Sequence, residues 1–314
     1  MIIMYINSCT GIGNQLFMYA AGLSLANRLN TELILGSWDV RFSASEYRDY
    51  YLSSANFPAI TERHANFHDI RKIISTSTAF RAAFENFIAY KPIRKQHIFR
   101  RLIRKIFHKL VPNAVSGKIY YYNISNLIGN FDDMSDNICV TGYCESEKIF
   151  MNISDLVRKK LKFADSCFNP ELANKIKSCN SVALHVRLGD KMTFPNFLDL
   201  SVKYIRAAIE KIYSITSAPE FFVFSDDINY CRENLTKIYP GAKYNFIDGQ
   251  TPPQDMALMT ICNHVIVAPS TFSWWGAWLN ENPNKIIIAP DVKLWYENAE
   301  HGKYLLPESW IKIS

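Results

Sequence analysis

The run SVALHVRLGD, residues 181–190, decides how the rest of the chain is read. Its first six residues are apolar or small around a single histidine, and the stretch breaks at a charged, glycine-bearing segment. A short apolar run bounded in this way reads as a buried strand followed by a turn. Alternate side chains on a strand share a face, so His185 and Arg187 point the same way. Gly189 lets the chain turn before Asp190. An Arg at the carboxyl end of a buried strand can grip a phosphate with a planar, permanently charged fork. A strand-end ion pair between Arg187 and Asp190 is the plainer reading, and this run by itself leaves both open.

Further strands follow at FFVFS (221–225), KYNFI (243–247), HVIVA (264–268) and KIIIA (285–289). Helical patterns fall between them at about 200–213, 229–238, 253–262 and 272–280. This alternation predicts an α/β fold with a parallel sheet covered on both faces. The first half opens in the same way, with a strand at IIMYI, a helix over 14–29 and a second strand at ELIL (32–35). The rhythm then fades, and 75–112 reads as mainly helical. KFADSCFNPEL (162–172) breaks the pattern. The reading therefore divides the chain into 1–165 and 166–314, two Rossmann-like domains facing a cleft.

A chain of 314 residues is long enough for two medium domains. Its 48% hydrophobic and 14% aromatic content excludes a disordered protein. No apolar run approaches the roughly 18–20 residues of a membrane span. MIIMYIN is too short for a signal-peptide core and reads as a buried strand. The seven cysteines are odd in number, scattered and without a C-x-x-C pair, which predicts free thiols in a reducing cytoplasm. Residues 86–131 hold nine Lys or Arg and no Asp or Glu, more than the whole net charge of +6. No nucleic-acid recognition motif accompanies that segment. Within it, 91–110 patterns as an amphipathic helix with a cationic face. That face suits either packing on its own domain or peripheral contact with an anionic membrane.

Three other runs carry candidate chemistry. In GIGNQLFMYA (11–20), two glycines after a strand let backbone N–H groups approach a ligand at a helix N-terminus. A dinucleotide fingerprint fails here. The third glycine is absent, and the second strand ends at Leu35-Gly36 without the acid that would bind a ribose. Asn14 and Gln15 supply amide groups that a bare turn would not need, so a ligand-contacting loop is the preferred reading. FFVFSDD places Ser225, Asp226 and Asp227 at another strand end. One adjacent acidic pair offers few oxygens for a cation, and no metal is expected. In PSTFSWWGAWL (269–279), Ser270, Thr271 and Ser273 are cap-type residues at a helix N-terminus, and one cap does not explain three hydroxyls. Trp274, Trp275 and Trp278 read as helix packing, with sugar stacking open for one of them. Asp255 begins a helix, where negative charge is favoured.

Taken together, these runs resemble glycosyltransferase family 11, the α-1,2-fucosyltransferases. That family pairs an N-terminal GGLGNQ(L/M)F, a central HxRRGD and a late SSFSWWGAWL. GYCESEKIF (142–150) is similar to its GYFQSEKYF, and LLPESWIKI (305–313) also fits. The matches run from residue 11 to residue 313. The chain departs from the pattern at Thr10, Leu188, Cys144 and Glu145, where the family has Gly, Arg, Phe and Gln. On strand geometry Leu188 faces away from Arg187, so the missing second Arg is tolerable.

The resemblance implies a GT-B fold with the nucleotide mainly on the C-terminal domain. It implies an inverting transfer of L-fucose from GDP-fucose to the 2-hydroxyl of a galactose-containing acceptor, with no metal or other cofactor. In this expectation Arg187 holds the β-phosphate and stabilises the leaving diphosphate, with Asn14 and His185 also catalytic. His185 reads equally as a satisfied core histidine. Gly13, Gln15, Asp190, Ser225, Asp226, Ser270, Thr271, Phe272 and Ser273 join Arg187 around the donor. Glu145 and Trp274 face the acceptor. No base for the acceptor hydroxyl is singled out. The expected setting is surface-polysaccharide assembly such as O-antigen in a bacterial cytoplasm. There, a lipid-linked acceptor would make membrane contact through 91–110 useful. A transferase for another GDP-sugar and a non-catalytic carbohydrate-binding protein remain as alternatives.

Overall fold

Two sheets organise the chain, and every strand pairing in both is parallel. The computed structural model describes residues 1–6, 10–36, 49–66, 69, 119–121, 138–189, 192, 196–296 and 302–314. Elements are numbered within those residues. The expected helical stretch 75–112, its amphipathic part 91–110, and Asp190 lie outside them.

The first sheet holds β1 (Ile2–Tyr5), β2 (Leu33–Gly36), β3 (Ile119–Tyr121) and β4 (Ile138–Thr141) in the order β2-β1-β4-β3. Helix α1 (Ile12–Arg28) joins β1 to β2. Two short helices, α2 (Ser154–Lys160) and α3 (Pro170–Lys177), precede the second sheet. That sheet holds β5 (Ser181–Val186), β6 (Glu220–Ser225), β7 (Lys243–Phe246), β8 (His264–Ile266), β9 (Ile287–Pro290) and β10 (Ile311–Ile313), in the order β10-β9-β8-β5-β6-β7. The connecting helices are α4 (Phe197–Ile215), α5 (Ile228–Ile238), α6 (Pro252–Thr260) and α7 (Thr271–Trp278).

The break expected at 162–172 is in part a helix. Asn169 caps α3 by accepting from the backbone of Glu171 and Leu172, and Pro170 opens it. Only Ala173 and Ile176 of α3 are buried, too thin a stripe to register as a period. β3, β4 and β10 are three or four residues long, below what alternation reveals.

β5 is buried along its whole length, as a central strand covered on both faces must be. Its alternate residues feed different cores. Val182, Leu184 and Val186 pack with Ile209, Val223 and Leu235, while Ala183 faces the other side. That other core is continuous between the sheets. It runs from Met4, Leu35 and Val140 to Val265 and Ala289. At its centre the Phe17 ring of α1 sits 4.5 Å from Trp274 and 4.9 Å from Trp275 of α7.

In the second sheet strand order reverses between β5 and β8, with β6 and β7 on one side and β9 and β10 on the other. In open parallel sheets, the loops leaving adjacent strands part at such a point and leave a crevice at the carboxyl ends, where ligands bind.

Candidate functional site

At the reversal of the second sheet, β5 delivers Arg187 and β8 delivers the start of α7. The Arg187 guanidinium lies 3.0 Å from Asp226 Oδ2, and both side chains are about a quarter exposed. Asp226 Oδ1 accepts the Leu188 N–H at 2.9 Å. The carboxylate thus holds both the fork and the backbone of the loop that carries it. A Cβ on Gly189 would fall 2.5 Å from Asp226 Oδ2, so a larger residue there would push aside the carboxylate that aims Arg187. Asp226, expected at the nucleotide, is here the orienting partner of Arg187. Leu188 is buried in the apolar cluster below, as the strand reading expects.

His185 lies one step deeper. It is 5% exposed, and its Nδ1 sits 2.8 Å from Ser273 Oγ. Burial, with Arg187 adding to it, pushes its pKa down to about 3. Its burial and its bond to Ser273 fit the satisfied core histidine of the two readings. This corrects the catalytic assignment of His185. Ser273 is fully buried, accepts the Ala268 N–H at 3.1 Å, and ties α7 to β5 through the imidazole. Its expected contact with the donor is replaced by that structural link.

The first sheet's α1 meets the second sheet's α7 through their N-termini. A Cβ on Gly13 would lie 2.5 Å from the Thr271 carbonyl carbon and 2.7 Å from the Phe272 nitrogen. Only glycine permits that approach. Thr271 Oγ1 bonds Asn14 Oδ1 at 2.7 Å across the joint. Gln15 is fully buried. Its Nε2 donates to the Thr10 and Asp49 carbonyls at 3.0 and 2.9 Å, and its Oε1 accepts the Tyr51 N–H at 2.9 Å. Gln15 spends its side-chain amide within its own half, which corrects its assignment to the donor, and Gly13 brings the starts of α1 and α7 together. Asn14, Thr271 and Phe272 remain half-buried at its rim. Ser270 caps α7 by accepting from Phe272 N. Ser225 accepts the Asp227 N–H, and Asp227 caps α5. The convergence of two partly positive helix ends beside a fixed guanidinium makes the crevice suited to a diphosphate.

Trp274 is fully buried, with Nε1 donating to the Leu305 carbonyl at 2.8 Å. No sugar can reach its face, so the acceptor assignment of Trp274 falls. Glu145 is half-buried and accepts from the Tyr296 hydroxyl. Burial and the neighbouring carboxylate push the Tyr296 pKa up, so that hydroxyl keeps its proton. The segment around Tyr296 carries no motif, and nothing in the sequence marked this partnership. Asp255 is in the first turn of α6, with Oδ1 buried and without a hydrogen-bond partner. Burial, with Asp248 adding to it, pushes its carboxyl up to about 7.

A groove of about 450 Å³ lined by Leu23, Asn27, Glu32, Glu62 and Arg63 opens at the amino end of β2, the sheet edge away from these groups. Among the described residues no group of three His, Cys, Asp or Glu could hold a metal ion. Within them no helix is long and apolar enough to cross a membrane.

Comparison with known proteins adds to this geometry. A family model described as Glycosyl transferase family 11 matches residues 4–313. An α-1,2-colitosyltransferase of Escherichia coli is 27% identical over 321 residues, covering 96% of each chain. The O-antigen biosynthesis glycosyltransferase WbnK of Escherichia coli is 24% identical over 328 residues, covering 99% of this chain and all of that one. Among solved structures, the α-1,6-fucosyltransferase NodZ from Bradyrhizobium, in crystals soaked with GDP-fucose, superposes with a TM-score of 0.51 at 16% identity. The match covers 88% of this chain and 92% of NodZ. The fold is the GT-B arrangement of those fucosyltransferases.

Proposed function

The chain belongs to glycosyltransferase family 11, and from that membership we propose that it moves L-fucose from GDP-fucose to the 2-hydroxyl of a galactose-containing acceptor. The acceptor oxygen bonds to the anomeric carbon from the face opposite the diphosphate. The bond from that carbon to the β-phosphate oxygen breaks, its electron pair leaves with GDP, and the acceptor proton is lost. In this reading residues 1–165 hold the acceptor and 166–314 hold the GDP-sugar.

One observation carries the reading: Arg187, held by Asp226 at the reversal of the second sheet, beside the converging starts of α1 and α7. Negative charge grows on the diphosphate as the glycosidic bond breaks. A cation fixed in advance lowers that barrier without reorganising. The motif set that resembles the α-1,2-fucosyltransferases points to the sugar and the linkage. The likeness to WbnK favours a role in O-antigen assembly. The departures at Thr10 and Leu188 do not argue for a dead enzyme. Thr10 is buried and its carbonyl serves Gln15, while the Leu188 side chain fills the core.

A second donor is favoured by a specific observation, the colitosyltransferase likeness along nearly the whole chain. Colitose is fucose without its 3-hydroxyl. The test is GDP release in EDTA, with GDP-fucose and GDP-colitose offered separately, across a panel of β-galactosides. Fucose transfer to O-2 is expected. A strong preference for GDP-colitose would replace the donor, because a site that bonds a hydroxyl rejects its deoxy analogue by roughly 10⁴-fold. Binding of galactoside without any GDP release would indicate a non-catalytic protein. The proposed membrane contact through 91–110 predicts low-salt co-sedimentation with anionic vesicles that is lost at high salt.

A further inference from the structure

We infer that Thr271 is a positioning residue: its hydroxyl holds the Asn14 carboxamide across the joint, so that the amide nitrogen donates into the diphosphate crevice. The inference rests on the transferase reading above and gives it a residue that acts on the leaving diphosphate through another.

The start of α7 carries three hydroxyls, Ser270, Thr271 and Ser273, and each has its own task. Ser270 is the N-cap. Its backbone is extended, with φ −149° and ψ 131°, and its Oγ accepts the Phe272 N–H at 3.3 Å. Ser273 is fully buried and ties the helix to β5 through His185 Nδ1 at 2.8 Å. Thr271 does neither. Its Oγ1 donates to Asn14 Oδ1 at 2.7 Å, across 257 positions of sequence. The hydroxyl that capping leaves over thus goes to the other half of the chain.

That bond settles which way the carboxamide faces. An amide has an acceptor end and a donor end, and half a turn exchanges them. With Oδ1 held by a hydroxyl hydrogen, Nδ2 turns away from Thr271. Nδ2 has no hydrogen-bond partner among the described residues, and Asn14 is half-buried at the crevice rim. A donor there attracts a diphosphate oxygen, whereas the amide oxygen in the same place would repel it. The frame around the pair is fixed. The Asn14 N–H bonds the Gly11 carbonyl at 3.1 Å, and Gly13 brings α1 against the Thr271 backbone. Phe272, next to Thr271, has its ring 5.3 Å from that of His185, two residues before Arg187. Threonine is β-branched and stiff at χ1, so its hydroxyl is presented already aimed.

The experiment is a double-mutant cycle over Thr271→Val and Asn14→Ala, with Thr271→Ser and Asn14→Asp beside it. Each protein is read for kcat, acceptor KM, GDP affinity by calorimetry and melting temperature. Thr271→Val keeps the shape and removes the hydroxyl. It should lower kcat and GDP affinity each about tenfold or more, with acceptor KM and melting temperature little changed. In the Asn14→Ala background the same substitution should alter neither by more than about twofold. Thr271→Ser restores the hydroxyl and should recover most of both. Asn14→Asp keeps an acceptor for Thr271 but turns a second oxygen to the crevice, so it should bind GDP more weakly than Asn14→Ala does. Equal losses from Thr271→Val in both backgrounds would mean that the hydroxyl meets the donor itself, and the positioning role falls. It falls too if Thr271→Val keeps wild-type kcat and GDP affinity, or if Asn14→Asp binds GDP more tightly than Asn14→Ala. The GDP arm does not depend on turnover. Absence of GDP release by the wild-type protein defeats the transferase reading, while the calorimetric cycle still decides the role of Thr271. A wild-type protein that does not bind GDP defeats both.

Discussion

Residues 11–15 and residues 187–189 are alike as sequence: each follows a buried strand, carries glycine and offers polar groups. The structure puts them to different use. The first is a joint. Its glycine admits the backbone of Thr271, and Gln15 bonds Thr10, Asp49 and Tyr51 within its own half. The second is a grip. Its Arg187 stays partly open and is aimed by a carboxylate from the neighbouring strand. The difference teaches that a glycine-rich loop after a strand is not by itself a ligand loop. What separates the two is burial: Gln15 is fully buried, while the Arg187 side chain keeps about a fifth of its surface exposed.

The comparison breaks first at Gly13. With a backbone carbon 2.5 Å from the added atom, Gly13→Ala should destabilise by about 3 kcal/mol or more, seen as lost soluble expression or a large fall in melting temperature. A variant that melts like wild type would mean that the helices can part and the joint is not tight. Next comes Arg187→Lys, which keeps the charge and removes the fork. It should lower turnover by about 10²–10³-fold with little change in melting temperature. Full turnover in that variant would reduce Arg187 to a structural ion pair.

Gln15→Ala probes the joint without overpacking it. It leaves a buried N–H and two carbonyls unpaired, a loss of about 2 kcal/mol, and should show in denaturant midpoint but not in GDP affinity. The smallest effect is expected at Asp255, on the helix that packs against α7. Its folded pKa, about 7, stands above the unfolded 3.8. The carboxyl is therefore neutral at no cost below the unfolded value, and the native state loses stability as pH rises from about 4 to about 7. Asp255→Asn should gain about 1 kcal/mol over wild type at pH 8 and nothing at pH 4. A gain that is the same at both pH values would show that charge burial is not the cause.

The centre of the second sheet was legible in the sequence because β5, β6, β8 and β9 are apolar runs separated by helices of ordinary period, whereas β10 is too short to read. Its reversal point was legible through HVRLGD, where a cation ends an apolar run. The first sheet was less so, since β3 and β4 are short and the connection between them carries no period. At the site, residue types were readable but their partners were not. Nothing in the spacing of Gln15 says that it serves Asp49 and Tyr51, and nothing in Trp274 separates a buried indole from a sugar platform. Both facts depend on which elements the fold stacks over them. Likewise Asp226 lies 39 residues after Arg187 in the chain and becomes its neighbour only through the register of β5 with β6.

The most direct test titrates GDP by calorimetry into Arg187→Ala and Gln15→Ala alongside wild type, with melting temperature read on the same samples. The account predicts that Arg187→Ala loses GDP affinity about tenfold or more and melts as wild type does. It predicts that Gln15→Ala melts lower and binds GDP unchanged. Wild-type GDP affinity in Arg187→Ala would contradict it, because the grip would then lie elsewhere.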